Sequence, residues 1–395
     1  MYFFIGGLFP DKNYYCQVIK NSNGIIQNAA NVLQQALVRG FDDCDQPINI
    51  LSLPFVGTFY RNYKCLFVKR MRFSHEKSSV MRDVVLNFNT LPVLGLFSKY
   101  KALKNELNKV CHTNDILIIY SIHTPFLLSA VRLKRKKKVH ICLIVPDLPQ
   151  YMSETHNPLF LLLKKIDSFI IRAAIRFVDS FVLLSDYMAE SLKIGERPWI
   201  RIEGIYLPQS EYIQTKKEDD FVFAYTGTLD FRYGILDLLD AFMKIKRNDI
   251  RLWICGRGNS EVQVRKAISI DCRITYWGQL PHEKVLKLQQ RATVLVNPRT
   301  AEGAYTKYSF PSKTIEYMAS GTPCIMYPLP ALPIEYQNYL FIVKENGLEN
   351  SMREVLSLSK TELYKKGIKA KEFLEKYKNP QYQVQKIIQM IESNV

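Results

Sequence analysis

Short apolar runs alternate with helical stretches in both halves of this 395-residue chain, and this alternation limits the folds open to it. In the second half the apolar runs lie at 221–229, 251–258, 273–280, 293–299 and 322–327, and helical stretches separate them. Parallel strands joined by crossover helices give this pattern, because each crossover places a helix on a face of the sheet. The sequence therefore predicts an α/β fold with parallel sheets covered on both faces.

The stretch "LPQSEYIQTKKEDD" at 207–220 is polar, charged and without periodicity, which is typical of a linker. It predicts a first domain at 1–208 and a second at 209–379. Two doubly wound domains present the carboxyl ends of their strands to a cleft, where such folds bind ligands.

The eight cysteines contain no CxxC pair, so zinc and thioredoxin-type chemistry have no support. Because most lie in apolar stretches, we expect reduced core residues of a cytosolic protein. Residues 1–8 are too short and lack the basic start of a signal peptide, and charged residues interrupt the apolar stretch 157–184.

The formal net charge is +17, and residues 51–150 hold 17 Lys/Arg against 5 Asp/Glu. The densest cluster, "RLKRKKK" at 132–138, is typical of a solvated helix end or of a surface for anionic partners. Basic residues also alternate with tyrosine and phenylalanine at 59–73. We favour an anionic membrane surface as partner. A nucleic-acid partner is not expected, because no RNP, helix-turn-helix or zinc signature is present.

Four segments of the second half place glycine after a predicted strand: "YTGTLDFRYG", "ICGRGNSE", "YWGQLPHE" and "NPRTAEGAYTKYSFPSK". Glycine at such a turn lets backbone N–H groups approach a ligand, and the next helix N-terminus favours an anion. Each glycine alone is also explained by a tight turn. The four together predict a nucleotide site.

Glu316 lies within "FPSKTIEYMASGTPCIMY", residues 310–327, an otherwise mostly apolar segment. Pro311 suits a helix start, Gly321 and Pro323 mark its end, and 324–326 predict a buried strand. A carboxylate there is either a solvated surface residue or a ligand contact.

In order and approximate spacing, Gly227, Gly256, Gly258, Gly278 and the segment 311–323 resemble the family 4 glycosyltransferases of the bacterial capsule and exopolysaccharide type. The resemblance implies the GT-B fold, with two doubly wound Rossmann-like domains facing a cleft. The first domain would be the acceptor side and the second would bind the nucleotide sugar. The amphipathic helix at 380–395 would cross back onto the first domain, or would be a plain surface helix.

The resemblance further implies that Glu316 accepts hydrogen bonds from the donor ribose, a task suited to a carboxylate with two acceptor oxygens. The donor-binding residues expected in this way are Gly24, Gly227, Thr228, Arg232, Gly256, Gly258, Gln279, Leu280, Arg299, Lys307, Tyr308, Ser312, Lys313, Thr314 and Glu316.

The chain departs from the family at three positions. Tyr308 stands where many members carry a glutamate that contacts the donor sugar, while Thr228 and Tyr233 replace the two basic residues that usually hold the diphosphate. Other cations must then supply the positive charge, and the candidates are Arg232, Arg299, Lys307 and Lys313.

In the first half, His123 and Asp147 each follow a predicted strand and are the candidate catalytic residues, expected to face the cleft. His123 is equally well explained as a structural residue. The sequence "DCD" at 43–45 is interpreted as a loop, so we expect no metal site and no cofactor besides the nucleotide sugar as co-substrate.

These features and the resemblance together predict a hexosyl- or glycosyltransferase that moves a sugar from a nucleotide diphosphate to a glycan or polyprenyl-diphosphate-linked acceptor. The resemblance implies that it is a retaining enzyme. UDP is favoured over GDP, since uridine is the family's commoner donor base. The enzyme would lie in the cytoplasm, peripheral on the inner face of the membrane. A sugar-nucleotide epimerase of the same fold and a basic nucleic-acid-binding protein are the alternatives. An NAD-dependent oxidoreductase is set aside, because "GRGNSE" lacks the third glycine of its fingerprint.

Overall fold

The computed structural model describes residues 1–23, 26–75, 83–148, 158–208 and 215–394. The chain divides into two compact units, the first comprising residues 1–205 with 380–395 and the second residues 206–379. The first unit therefore ends at residue 205, three residues before the domain boundary predicted from the sequence at residue 208. Residues 209–214 of the expected linker lie outside the described residues.

Unit 1 is built on a sheet whose strands are short and buried. The strands of this unit are β1 (Tyr2–Gly6), β2 (Ile48–Ser52), β3 (Phe67–Val68), β4 (Met71–Phe73), β5 (Asp83–Val85), β6 (Phe88–Asn89), β7 (Ile116–Tyr120), β8 (His140–Val145), β9 (Ser180–Leu183) and β10 (Trp199–Arg201). Eight of them pair in the order β10-β9-β8-β7-β1-β2-β5-β4, all parallel except that β4 runs antiparallel to β5. Strands β3 and β6 form a separate antiparallel ribbon.

Crossover helices connect these strands, as the alternation predicts. They are α1 (Lys12–Asn21), α2 (Asn28–Asp43), α3 (Leu94–Val110), α4 (Thr124–Lys134), α5 (Pro158–Ile175) and α6 (Tyr187–Leu192). The helix expected from residue 24 begins at Asn28, and α1 before it was not predicted. Asp43 of the "DCD" sequence is the last residue of α2 instead of a loop residue.

Unit 2 contains a fully parallel six-stranded sheet. Its strands are β11 (Phe221–Thr226), β12 (Ile250–Cys255), β13 (Ile274–Tyr276), β14 (Val294–Asn297), β15 (Cys324–Met326) and β16 (Phe341–Ile342), in the order β13-β12-β11-β14-β15-β16. The helices are α7 (Ile235–Lys244), α8 (Glu261–Ile270), α9 (His282–Arg291), α10 (Ser312–Ala319), α11 (Ile334–Gln337), α12 (Gly347–Leu356) and α13 (Lys360–Tyr377).

Both faces of this sheet are buried under helices. Along β11, Phe223 joins a cluster with α7, α8 and α12, while the next residue, Ala224, joins a second cluster with α9, α10 and α13. Successive strand residues point to opposite faces, so β11 must be apolar throughout. This explains why its sequence reads as a continuous apolar run.

The final helix, α14 (Pro380–Glu392), returns to unit 1 and packs against α2, β9 and β10. Gly40 of α2 permits this close approach, because a Cβ there would lie 2.3 Å from Val384 Cγ2 and 2.5 Å from the Pro380 carbonyl oxygen. Thus α14 is an integral element of unit 1.

The structure bears on two expectations from the sequence, the reduced cysteines and the interrupted apolar stretches. All eight cysteines are free, and four of them are buried: Cys111, Cys142, Cys255 and Cys324. In the part of the chain that the structure describes, no helix is long and apolar enough to cross a membrane.

Candidate functional site

The loops that follow β11 and β12 pack backbone against backbone at the carboxyl edge of the unit 2 sheet. A Cβ on Gly256 would lie 1.7 Å from the Gly227 carbonyl oxygen, and a Cβ on Gly258 would lie 2.1 Å from that of Leu229. Glycine is therefore required at 256 and 258 for loop packing, whether or not a ligand also approaches. Lys313, Arg299 and Arg232 all lie in or against the segment 225–234.

Lys313, near the start of α10, extends under this segment. Its Nζ donates a hydrogen bond to the Thr226 carbonyl oxygen at 2.7 Å and lies 5.5 Å from the centre of the Tyr225 ring. The amine also occupies the space that a side chain at Gly227 would need. Burial lowers the pKa of Lys313, and Glu316 partly opposes this effect. A mostly buried amine held by a carbonyl is suited to receive an anion.

Glu316 lies on the same helix, three residues after Lys313. Its Oε1 accepts a hydrogen bond from Gln289 Nε2 of α9, which also donates to Thr226 Oγ1 at 2.8 Å. Gln289 is fully buried, and its own Oε1 has no partner among the described residues. The amide therefore fixes one carboxylate oxygen of Glu316 and leaves the other available to a ligand.

Arg299, two residues after β14, is a buried cation. Its side chain is only 8% exposed, and the guanidinium lies 5.2 Å from the Tyr305 ring centre and 5.8 Å from that of Tyr233. The Nε–H group has no hydrogen-bond partner among the described residues, and none of their carboxylates pairs with it. Burying an uncompensated charge is costly, so this arrangement favours binding of an anion.

Arg232 differs, because its charge is already neutralised. Its guanidinium forms two hydrogen bonds to Asp230 at 2.9 and 3.0 Å, and Asn259 adds a third to the same carboxylate at 3.1 Å. The Arg232 side chain holds the pKa of Asp230 down at about 2. To bind a phosphate, Arg232 would have to exchange this partner.

The remaining residues that were expected to bind the donor differ in how far they are buried. Thr314 is fully buried, with its hydroxyl directed at Met326 Sδ, so its side chain serves the core. Leu280 packs against the core cluster that includes Tyr206 and Leu288. Thr228, Gln279, Lys307 and Ser312 are exposed, and Tyr308 is half-buried. Gly24 lies outside the described residues.

In unit 1, His123 precedes α4 at the carboxyl end of β7. The imidazole lies 4.5 Å from the Phe126 ring centre and 6.2 Å from that of Phe55, and its Nδ1 is buried without a partner among the described residues. Burial lowers the pKa of His123 to about 3. The ring is therefore neutral near pH 7 and is a weak base. These properties suit a histidine that forms a hydrogen bond with a bound ligand better than one that abstracts a proton.

Asp147 follows β8 at the same edge of the sheet and is exposed, while nearby protein raises the pKa of its carboxyl by desolvation. Lys99 of α3 contributes a further charge in this region. Its Nζ lies 4.8 Å from the Phe88 ring centre, and burial lowers its pKa to about 8. Its charge also opposes protonation of His123.

Sequence reasoning missed Gln289, Asp230 and Lys99. Gln289 belongs to the apolar stripe of α9, and a buried amide on such a stripe is the one signal that could have revealed it. Asp230 and Lys99 could not be found from the sequence, because their interactions with Asn259 and His123 form only in the folded chain. The described residues contain no group of three or more His, Cys, Asp or Glu placed to hold a metal ion.

Comparisons with known proteins address the fold directly. Residues 220–360 match the family model of glycosyl transferases group 1. Sucrose-phosphate synthase from Thermosynechococcus elongatus is similar in structure, with a TM-score of 0.64, 15% identity and coverage of 100% of this chain and 98% of the other. The apo form of the lipopolysaccharide outer core galactosyltransferase WaaB gives a TM-score of 0.61, 16% identity and coverage of 100% and 99%.

HepE from Anabaena, solved in complex with UDP, has a TM-score of 0.61 at 11% identity, with 99% of each chain covered. A search of curated protein sequences finds no match. The chain has the GT-B fold. The GT-B architecture predicted from the sequence is therefore confirmed, and the match at 220–360 places a group 1 domain on the unit that carries Glu316, Arg299 and Lys313. Fold and domain match together support a glycosyltransferase enzyme.

Proposed function

We propose that this chain is a retaining, family 4 glycosyltransferase that uses a UDP-sugar and acts in the synthesis of a surface polysaccharide. The observation that carries the proposal is Arg299, a buried guanidinium without a carboxylate partner, beside the segment that Lys313 approaches. Lys313 also has no carboxylate partner among the described residues, although its amine donates to the Thr226 carbonyl. Two such cations fit a diphosphate, whose charge can compensate both. HepE in complex with UDP-glucose, and a pneumococcal O-GlcNAc transferase with UDP and GlcNAc, favour UDP as the donor nucleotide.

In this proposal Glu316, oriented by Gln289, accepts hydrogen bonds from the ribose hydroxyls. The backbone N–H groups at the start of α10, together with Lys313 and Arg299, stabilise the charge that develops on the departing diphosphate. Transfer then depends on holding donor and acceptor in reacting geometry, not on an added metal or cofactor. Asp147 and neutral His123 of unit 1 would orient the acceptor hydroxyl.

We assign the acceptor to a lipid-linked glycan, such as a polyprenyl-diphosphate saccharide, at the cytoplasmic face of a membrane. The support is the excess of basic over acidic residues at 51–150, which suits an anionic bilayer and an anionic acceptor. Capsule or exopolysaccharide assembly is the expected setting.

Nucleotide-dependent thermal stabilisation tests the donor site. UDP at about 100 times its dissociation constant should stabilise the protein by about 2.7 kcal/mol, with GDP, ADP and NAD as comparisons. Glu316→Ala should remove most of this effect, whereas Glu372→Ala, an exposed carboxylate on α13, should keep it. No stabilisation by any nucleotide, or equal stabilisation in Glu316→Ala, would contradict the assignment.

Product analysis then separates the reaction classes. A transferase releases UDP and forms a glycoside only when acceptor is present, and the anomeric configuration of that glycoside reports retention. Conversion of the nucleotide sugar without acceptor would instead identify an epimerase. Salt-sensitive retardation of nucleic acid, without sugar transfer, would favour the nucleic-acid-binding alternative.

A further inference from the structure

Large hydrophobic side chains are exposed in three short segments of unit 1. The segments are residues 59–68 (strand β3 of the ribbon with the turn before it), residues 93–97 around the start of α3, and residues 161–169 of α5. They contain eleven of the large hydrophobic side chains that are more than a third exposed. Exposed apolar residues that cluster in this way mark an interaction surface, whereas single ones need no explanation.

The start of α5 projects beyond its neighbours. Thr124, the first residue of α4, donates a hydrogen bond to Asp167 of α5 at 2.5 Å, which shows where α5 passes the carboxyl edge of the sheet. The nine residues at 158–166 precede this point, and at about 1.5 Å per residue they extend roughly 13 Å past it. Leu161, Leu162 and Leu163 are all exposed although they point about 100° apart. None of the described residues therefore covers this turn.

The start of α3 shows a second apolar tip on the other side of α4. Leu94 is 58% exposed and Phe97 67%. Thr90 bonds with the chain at Leu66 and Phe59, so the exposed Phe67 of the ribbon lies close to this tip. Helices α3 and α5 both pack against α4, and both begin at the same edge of the sheet. We call the three segments together the docking rim.

Basic side chains follow each apolar tip. On the exposed stripe of α5, Phe169 is succeeded by Arg172 and Arg176, and on α3 Phe97 is succeeded by Lys101. The amino-terminal parts of the two helices, residues 94–104 and 158–172, together contain six Lys/Arg against one Asp/Glu. An apolar tip with a basic collar matches a bilayer surface, where acyl chains lie beneath anionic headgroups. It is a poor match for a second copy of this chain, since self-association would bring like charges together.

We propose that the docking rim inserts into the headgroup region of an anionic lipid bilayer. This inference rests on the proposed function for its choice of a membrane-linked acceptor, and it names the surface that meets that membrane. His123 and Asp147 follow strands that end at the same edge as the rim, so docking would bring the acceptor residues of unit 1 to the lipid headgroups. A lipid-linked glycan would then reach them without leaving the bilayer.

Vesicle co-sedimentation tests the rim with a matched pair of variants. The full chain is mixed with vesicles of phosphatidylcholine containing phosphatidylglycerol, or of phosphatidylcholine alone. Phe97→Ser/Phe169→Ser should weaken binding to the anionic vesicles by about tenfold or more. Ile270→Ser/Ile334→Ser removes equally exposed apolar side chains from unit 2, and it should leave binding unchanged.

Tryptophan fluorescence tests insertion itself. In Phe169→Trp, anionic vesicles should shift the emission of the added indole to the blue, and brominated acyl chains should quench it. A tryptophan placed by Ile270→Trp should show neither effect. Equal binding by Phe97→Ser/Phe169→Ser and wild type, or an unquenched indole at 169, would overturn the proposal.

Two further measurements separate this inference from the proposed function. Stabilisation by UDP should be the same in Phe97→Ser/Phe169→Ser and wild type, which also verifies folding. UDP binding without vesicle binding would overturn the rim alone, whereas vesicle binding through the rim without nucleotide binding would overturn the transferase. A lipid-free dimer that Phe97→Ser/Phe169→Ser dissociates would replace the bilayer with a second copy of this chain.

Discussion

Arg299 presents a conflict between stability and ligand binding within one side chain. Its guanidinium is buried between Tyr233 and Tyr305, and its Nε–H is unsatisfied among the described residues. An unsatisfied buried donor costs about 1–3 kcal/mol, which contact with the tyrosine rings partly offsets. A bound anion would accept a hydrogen bond from this Nε–H and compensate the buried charge of Arg299.

We expect Arg299→Met to lower UDP affinity by about tenfold or more, because a charge-assisted contact is lost. The melting temperature without nucleotide should stay the same or rise, since the orphaned donor is removed. Titration with UDP and thermal unfolding of the same samples measure both effects. A large fall in melting temperature with UDP affinity intact would show that Arg299 is purely structural.

His75 in unit 1 is a second charged residue with a measurable consequence. Its Nδ1 lies 2.6 Å from Asp83 Oδ2 and its Nε2 lies 3.1 Å from Asp42 Oδ1. Hydrogen bonds to these carboxylates outweigh desolvation and raise the pKa of His75 to about 9. The folded state therefore binds the proton more tightly than the unfolded state does.

The pH dependence follows from the sign of that shift. The stabilisation is complete below about pH 6.5, the pKa of an unfolded histidine, and is lost as the pH rises through about 9. A shift of this size corresponds to about 3 kcal/mol. Urea unfolding across this range should show His75→Gln approaching wild-type stability at high pH. A constant difference between the two proteins would contradict the charged bridge.

At the scale of elements, α13 begins with a complete capping box. Ser359 Oγ accepts from the Glu362 N–H at 3.2 Å, and Glu362 Oε2 accepts from the Ser359 N–H at 2.8 Å. Ser359→Ala should destabilise unit 2 by about 1 kcal/mol. Thermal unfolding with Ser357→Ala as the control checks this. Ser357 bonds only a carbonyl of the preceding helix among the described residues, and an equal effect of both changes would refute the capping role.

The sequence predicted α10 and β15 to within two residues, because Pro311, Gly321 and Pro323 bound them and such stops act locally. It did not predict α1, whose "KNYYCQVIKN" contains few strongly apolar residues and buries only Val18. The Gln289–Glu316 hydrogen bond could not be predicted either, since it joins two helices, α9 and α10, whose relative position is set by their packing on one face of the sheet. Helix and strand boundaries that depend on local residues could be predicted from the sequence, whereas side-chain contacts between distant elements could not.

At the scale of the whole molecule, α14 makes unit 1 depend on the most C-terminal described element. Val384, Ile387 and Ile391 are fully buried against that unit. Burying each such side chain contributes about 1.5–3 kcal/mol. Removing residues 380–395 should therefore destabilise unit 1 by several kcal/mol and leave unit 2 intact.

Calorimetry of the truncated chain should show the transition of unit 1 at lower temperature, while UDP still raises that of unit 2. The double change Tyr382→Ser/Gln385→Ser, which affects only exposed positions of α14, provides the control. Loss of both transitions would mean that α14 supports the two units equally.

The return of α14 also orders events during synthesis. Unit 2 is in effect an insertion between β10 and α14, so the ribosome completes all of its residues before it makes the last helix of unit 1. The apolar face of α2 must wait uncovered throughout that interval. Nascent chains of this topology should finish the domain that begins second before the domain that begins first, which reverses the usual order of folding from the amino terminus.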